Sequence, residues 1–196
     1  MFENLRQLGS NPGPGASLRS YTLRAGGARA KGSSFERSVS KLVVSAFEEF
    51  GITPKDCYRT PLSGGHMRAS ESDPGDLVIS PALANYFPVS VECKAYKSVP
   101  WLKLIHPRKK RGIWDKWWKQ CCTAAYKQKR LPVLIFKQNN SDVYAMYAYQ
   151  DLTALGVGHI VPNITTRVNG DKVRVIAFAQ FLDAIVIAAR GCKDCR

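Results

Sequence analysis

At 196 residues, 45% of them hydrophobic, the chain can bury the core of one substantial domain, and its longest apolar runs, 133–136 and 184–189, fall short of the about 20 residues that a membrane-spanning helix needs. Basic side chains number 29 against 15 acidic ones, a formal net charge of +14. Mutual repulsion of that size destabilises a compact chain unless a polyanion relieves it, so nucleic acid is the expected partner ahead of a membrane surface.

Residues 1–32 repeat Gly, Pro, Ser and Ala, carry five basic side chains against one acid, and show no periodicity. They read as a flexible basic arm, able to follow a phosphate backbone or simply an untethered terminus. The arm lacks the apolar block of a secretion signal, which places the protein inside a cell: in cytoplasm or nucleoid, or in the host cytoplasm if phage-encoded. The six cysteines are then expected as reduced thiols. Cys192 and Cys195 have the spacing of half a zinc site without a second half.

From Ser33 the apolar residues Phe35, Val39, Leu42, Val43, Ala46 and Phe50 recur at helical spacing, and Gly51 ends the pattern. A short strand at 57–60 precedes a turn-rich loop through Ser63, Gly64 and Gly65, and two strands follow at 76–80 and 89–95. Trp114, Trp117, Trp118, Cys121, Cys122 and Ala125 form a helical stripe over 114–127, and Pro132 introduces the apolar strand VLIF. That order is a βαβ-like crossover. A strand at 143–149, a hairpin turning at Asn169 and Gly170, and a helix over 179–190 complete an α/β domain spanning 33–196, with a basic, Trp-rich insertion at about 98–113.

In VSVECKA, strand alternation puts Val89, Val91, Cys93 and Ala95 on one face and Ser90, Glu92 and Lys94 on the other. If the preceding strand pairs with this one, Asp76 at its start approaches Glu92. Close carboxylates repel unless a hard cation such as Mg²⁺ or a shared proton lies between them. Such a cation assists phosphodiester hydrolysis, and Lys94 would orient the attacking water and offset anionic charge. The competing reading is an ordinary exposed Glu92–Lys94 pair on a sheet edge.

Glu36 also has two readings. It completes a capping box with Ser33, or it projects from the helix start toward the metal. The tryptophans at 101–118 are interleaved with Lys103, the run Arg108, Lys109, Lys110, Arg111, and Lys116. Trp114, Trp117 and Trp118 are expected to pack, since they share the helical stripe. The basic run, Trp101, Lys31 and Arg37 are expected at DNA, with a merely solvated basic loop as the competing reading of the run. His66 is assigned no role.

KGSSFERSVSKL, then PLSGG, PGDLVI and VECK, then a helix bearing Gln120 before an apolar strand, resemble in their order the PD-(D/E)XK nuclease superfamily. Within it the sequence is most similar to archaeal-type Holliday junction resolvases and their phage relatives, over roughly residues 31–138. The resemblance implies a restriction-endonuclease-like mixed central β-sheet flanked by helices, with a C-terminal β-hairpin and helix. It implies Glu36, Asp76, Glu92 and Lys94 as the active site, with Asp76, Glu92 and Glu36 on the metal, Ser63 near the substrate and Gln120 in support. It further implies a Mg²⁺-dependent homodimer, with Mn²⁺ able to substitute, that cuts opposing strands of a four-way DNA junction. The sequence departs from the superfamily at SDPGD, where Gly75 separates Pro from Asp, and in the insertions PALANYFP and SVPWLKLIHPRKKRG. A duplex-cutting or restriction-type nuclease and a non-catalytic DNA-binding module are the alternatives.

Overall fold

The fold is described from a computed structural model, over residues 28–61, 75–106, 112–154 and 162–193. The first helix, α1, runs Ala28–Ala46. It starts ahead of Ser33 because Ala28, Arg29, Ala30 and Lys31 are all good helix formers. This corrects the capping-box expectation: Ser33 sits inside the helix, where it cannot take the extended backbone of an N-cap. After α1, a 3₁₀ turn over Glu48–Phe50 ends at Gly51, whose φ of 79° is the left-handed conformation expected of a stop signal.

Strand β1 (Cys57–Arg59) pairs antiparallel with β2 (Leu77–Ile79) as a two-stranded ribbon. The PALANYFP insertion opens with a one-turn helix, α2 (Pro81–Ala84). Ser80 caps it by accepting from the Leu83 N–H at 3.2 Å, and Pro81 takes the first helical position, where a missing N–H costs nothing.

The central sheet has five strands: β3 (Val89–Tyr96), β4 (Leu131–Gln138), β5 (Tyr144–Ala148), β6 (Ile164–Val168) and β7 (Asp171–Ala177), in spatial order β3-β4-β5-β7-β6. β3 and β4 are parallel, joined by the short helix α3 (Trp101–Ile105) and the long helix α4 (Ile113–Gln128); the other pairings are antiparallel. The sheet is therefore mixed, as expected. Asn169 (φ 52°) and Gly170 (φ 91°) make the β6–β7 turn, in the positive-φ geometry that Asn-Gly tolerates. A short helix, α5 (Tyr149–Ala154), follows β5, and α6 (Phe178–Lys193) closes the chain.

Two cores flank the sheet. Phe35, Val39 and Val43 of α1 pack with Phe181, Ile185 and Val186 of α6 over Val89, Val91 and Cys93. On the other face Trp114, Trp117, Trp118 and Cys121 of α4 cover Leu134, Phe136, Met146 and Val175. The indole N–H of Trp114 donates to the Pro100 carbonyl at 3.0 Å and that of Trp118 to Asp171 Oδ2 at 2.8 Å, so neither buried ring leaves a donor unpaired. Trp101 joins this cluster, its ring centroid 5.3 Å from that of Phe136 and 5.0 Å from that of Tyr144. Its assignment to DNA is therefore corrected: the indole packs against the core because α3 folds back onto the sheet.

β3 is an edge strand, and the expected ladder between the strands carrying Asp76 and Glu92 does not form. β2 pairs with β1 instead. Asp76, just ahead of β2, hydrogen-bonds β3, its N–H donating to the Val91 carbonyl at 3.0 Å. Among the described residues, no helix is long and apolar enough to cross a membrane.

Candidate active site

The segment Gly75–Asp76 is clamped between two elements. Thr60 Oγ1 donates to the Gly75 carbonyl at 2.8 Å and the Thr60 N–H to the Asp76 carbonyl at 2.9 Å, while the Asp76 N–H holds β3. Gly75 explains the departure at SDPGD. A Cβ there would stand 3.2 Å from the Val91 carbonyl oxygen and 3.3 Å from Ser90 Oγ, so a glycine is what lets Asp76 press against the strand. Asp76 Oδ2 then accepts the Cys93 N–H at 2.7 Å.

Glu92 is buried on the α4 face, with a relative exposure of 3%. One oxygen, Oε1, accepts from both Lys94 Nζ and Gln120 Nε2, the latter at 2.7 Å. The alternation of β3 brings Lys94 to Glu92, and α4 supplies Gln120 from above. Of the expected residues, the structure thus joins Asp76, Glu92, Lys94 and Gln120 in one cluster.

Its electrostatics are those of crowded acids. Burial, then the charge of Glu92, push Asp76 up to about 7, against the opposing Cys93 N–H. Glu92 is also raised, chiefly by burial, with Lys94 pulling the other way. Burial works to lower Lys94, but the charge and hydrogen bond of Glu92 prevail and raise it, so the amine stays charged. Glu36 is close enough for its charge to raise both Asp76 and Glu92. Its own carboxylate accepts from Arg59 Nε at 2.5 Å.

Among the described residues, no three His, Cys, Asp or Glu side chains gather as a metal cage. Glu36 is held by Arg59 through Oε2, which leaves Asp76 and Glu92 as the two carboxylates fixed against β3. Two carboxylates remain, and they suit Mg²⁺, which is commonly held by one or two carboxylates with water and substrate phosphate filling the other positions. A cation there would also relieve the repulsion that raises Asp76.

Lys31 lines a cavity beside Lys94, and Arg37 is exposed on α1. Ser63, His66, Arg108, Lys109, Lys110 and Arg111 lie outside the described residues, as do Cys195 and the side chain of Cys192. Cys57, Cys93, Cys121 and Cys122 are free thiols. Sequence reasoning missed Arg59, whose pairing with Glu36 depends on how α1 meets β1. It also missed Ser90 and Gln128, whose Oγ and Oε1 are buried near Gly75 without a hydrogen-bond partner among the described residues. Ser90 was legible as the third member of the Glu92–Lys94 face; nothing local marks Gln128.

A family model described as "Phage putative PDDEXK endonuclease" matches residues 27–186, most of the chain. No curated protein and no solved structure matches it. The chain belongs to this phage family, and is a nuclease of the PD-(D/E)XK type.

Proposed function

We propose, from that membership, that the protein is a metal-dependent endodeoxyribonuclease that hydrolyses phosphodiester bonds in branched DNA, with the four-way junction as its substrate. The observation that carries the chemistry is the buried cluster of Asp76, Glu92 and Lys94 on the edge strand β3. In this reading Asp76 and Glu92 hold Mg²⁺, with Mn²⁺ able to replace it. When bound, the ion stabilises charge on the phosphate and lowers the pKa of an attacking water.

The chain's own residues set the geometry. Gln120 and Lys94 fix the carboxylate of Glu92 by its Oε1. The Lys94 ammonium, kept charged by Glu92, faces the phosphate and offsets negative charge as the water oxygen bonds to phosphorus and the leaving strand's oxygen departs. The basic run 108–111, Arg37 and the N-terminal arm would bind backbone phosphates, and Ser63 would lie near the substrate. Recognition of a junction would rest on backbone geometry read by two copies of the chain related by a dimer axis, which also accounts for paired cuts. The junction is supported by the likeness of motif order to junction resolvases and by the net charge of +14.

The test is a competition between a labelled four-way junction and linear duplex of the same sequence, with Mg²⁺ or chelator. Symmetrical paired cuts confined to the junction are expected. Equal cutting of both would make the protein a duplex nuclease, and binding without cuts would make it a binding module.

A further inference from the structure

We infer that a second pocket, at the open end of β3, binds a phosphate of the DNA strand next to the one engaged at Asp76 and Glu92; the inference rests on the reading above for the nature of the ligand. The pocket is a cavity of about 400 Å³ whose lining includes Lys31, Lys94, Ala95, Tyr96, Lys97 and Asn139. None of these except Lys31 and Lys94 was singled out by the sequence.

In the parallel β3–β4 pair, alternate residues of β3 hydrogen-bond toward β4, and Tyr96 is one of them, since its carbonyl accepts the Asn139 N–H at 3.0 Å. The intervening residues face the open edge: the Val91 carbonyl accepts from Asp76, and the Cys93 N–H donates to Asp76 Oδ2. Ala95 is next in that series, so its N–H turns to the same open edge, where Ala95 lines the pocket and no backbone partner stands among the described residues. An edge N–H left in this way is an anion donor, not a sheet contact.

Three lysines line the pocket, and its described lining contains no acid. Lys94 is engaged by Glu92, whereas neither Lys31 nor Lys97 forms an ion pair among the described residues. The larger groove between α1 and β1, about 770 Å³, by contrast sets Glu48 among its lining cations.

Ala95 and Lys97 follow Lys94 along the strand by about 3 to 10 Å, at about 3.3 Å per residue, which is the scale of a neighbouring nucleotide. A strand whose scissile phosphate faces Lys94 would therefore lay its next phosphate among Lys31, Lys97, the Asn139 amide and the Ala95 N–H.

The experiment is done in chelator, so it does not depend on cleavage. The ¹⁵N-labelled chain is titrated with the 5′-phosphorylated thymidine dinucleotide, and the affinity of wild type and of Lys31→Ala/Lys97→Ala for duplex DNA is measured against salt. The Ala95 backbone amide and the Asn139 side-chain amide are expected to shift on titration, and not in the double variant. That variant should also lower the salt slope by about 0.9, the loss of one phosphate contact. Unmoved Ala95 and Asn139 signals, or shifts that persist in the double variant, would overturn the inference. A wild type that shows these shifts yet never cuts DNA in any metal would sink the nuclease reading and leave the pocket standing.

Discussion

Asp76 is anchored to the peptide unit that Glu92 itself begins: the amide between Glu92 and Cys93 donates its N–H to Asp76 Oδ2 at 2.7 Å. One peptide therefore fixes two carboxylates that repel each other, and burial together with that repulsion raises Asp76. The folded chain stores a preference for a proton or a cation at this point.

That preference has a sign. Asp76 sits at about 7 when folded against an ordinary 3.8, so between those values the native state holds a proton that the unfolded chain has released. Stability of the metal-free protein then falls as pH rises through that window and levels off above it. Divalent metal should reverse the loss. At a hundred times Kd it contributes about 2.7 kcal/mol, or about 5–10 °C in Tm, at pH 8, and distinctly less at pH 5. Thermal melts with and without Mg²⁺ at both pH values measure this; an equal Tm gain at pH 5 and pH 8 would contradict it.

Asp76→Asn and Glu36→Gln should separate metal binding from fold support. The amide of Asp76→Asn keeps an acceptor for the Cys93 N–H and removes a repelled charge, so the metal-free melt at pH 8 should hold or rise while the metal-induced gain disappears. Glu36→Gln weakens the pair with Arg59 and should lower Tm while keeping the metal-induced gain. Loss of that gain in Glu36→Gln would return Glu36 to the ligand shell.

Lys94→Met leaves Glu92 buried without its ammonium partner. Breaking a well-buried pair costs about 3–5 kcal/mol, and the partial exposure of Lys94 reduces this to about 1–3 kcal/mol. Glu92 protonates on acidification, so the deficit should shrink between pH 8 and pH 5. Denaturant titrations at the two pH values would show it, and a deficit constant with pH would mean that Glu92 is not the group left uncompensated.

Gly75→Ala tests the close approach. Its Cβ would press on the Val91 carbonyl and Ser90 Oγ and carry Asp76 outward by a few tenths of an ångström, which should lower the rate by less than the roughly 100-fold loss from a misplacement of about 1 Å. The melt should change far less than the activity, because the crowding is local. Full activity in this variant would show that Asp76 does not need that position.

Much of the fold was legible because its signals are local. The α4 stripe of Trp114, Trp117 and Trp118 and the alternation of β3 are periodicities that burial enforces, and the Asn169–Gly170 turn is chemistry confined to two residues. What could not be read were relations between distant segments. The pairing of β2 with β1, not β3, joins segments about 20 residues apart through a loop with no periodicity, and the Arg59 partner of Glu36 depends on the packing of α1 against β1. The start of α1 was misplaced because a capping motif at Ser33 looked complete while better helix formers stood before it. Trp101 was misread for a related reason: its aromatic partners Phe136 and Tyr144 come from strands far along the chain.

The most direct measurement of the central claim is cleavage of labelled DNA by wild type, Asp76→Asn and Lys94→Met, each with Mg²⁺, Mn²⁺ or chelator, alongside binding of the same DNA. The account predicts cuts by wild type in either metal, none in chelator, and none by the two variants although both still bind. Cutting by Asp76→Asn at the wild-type rate, or by wild type in chelator, would contradict it.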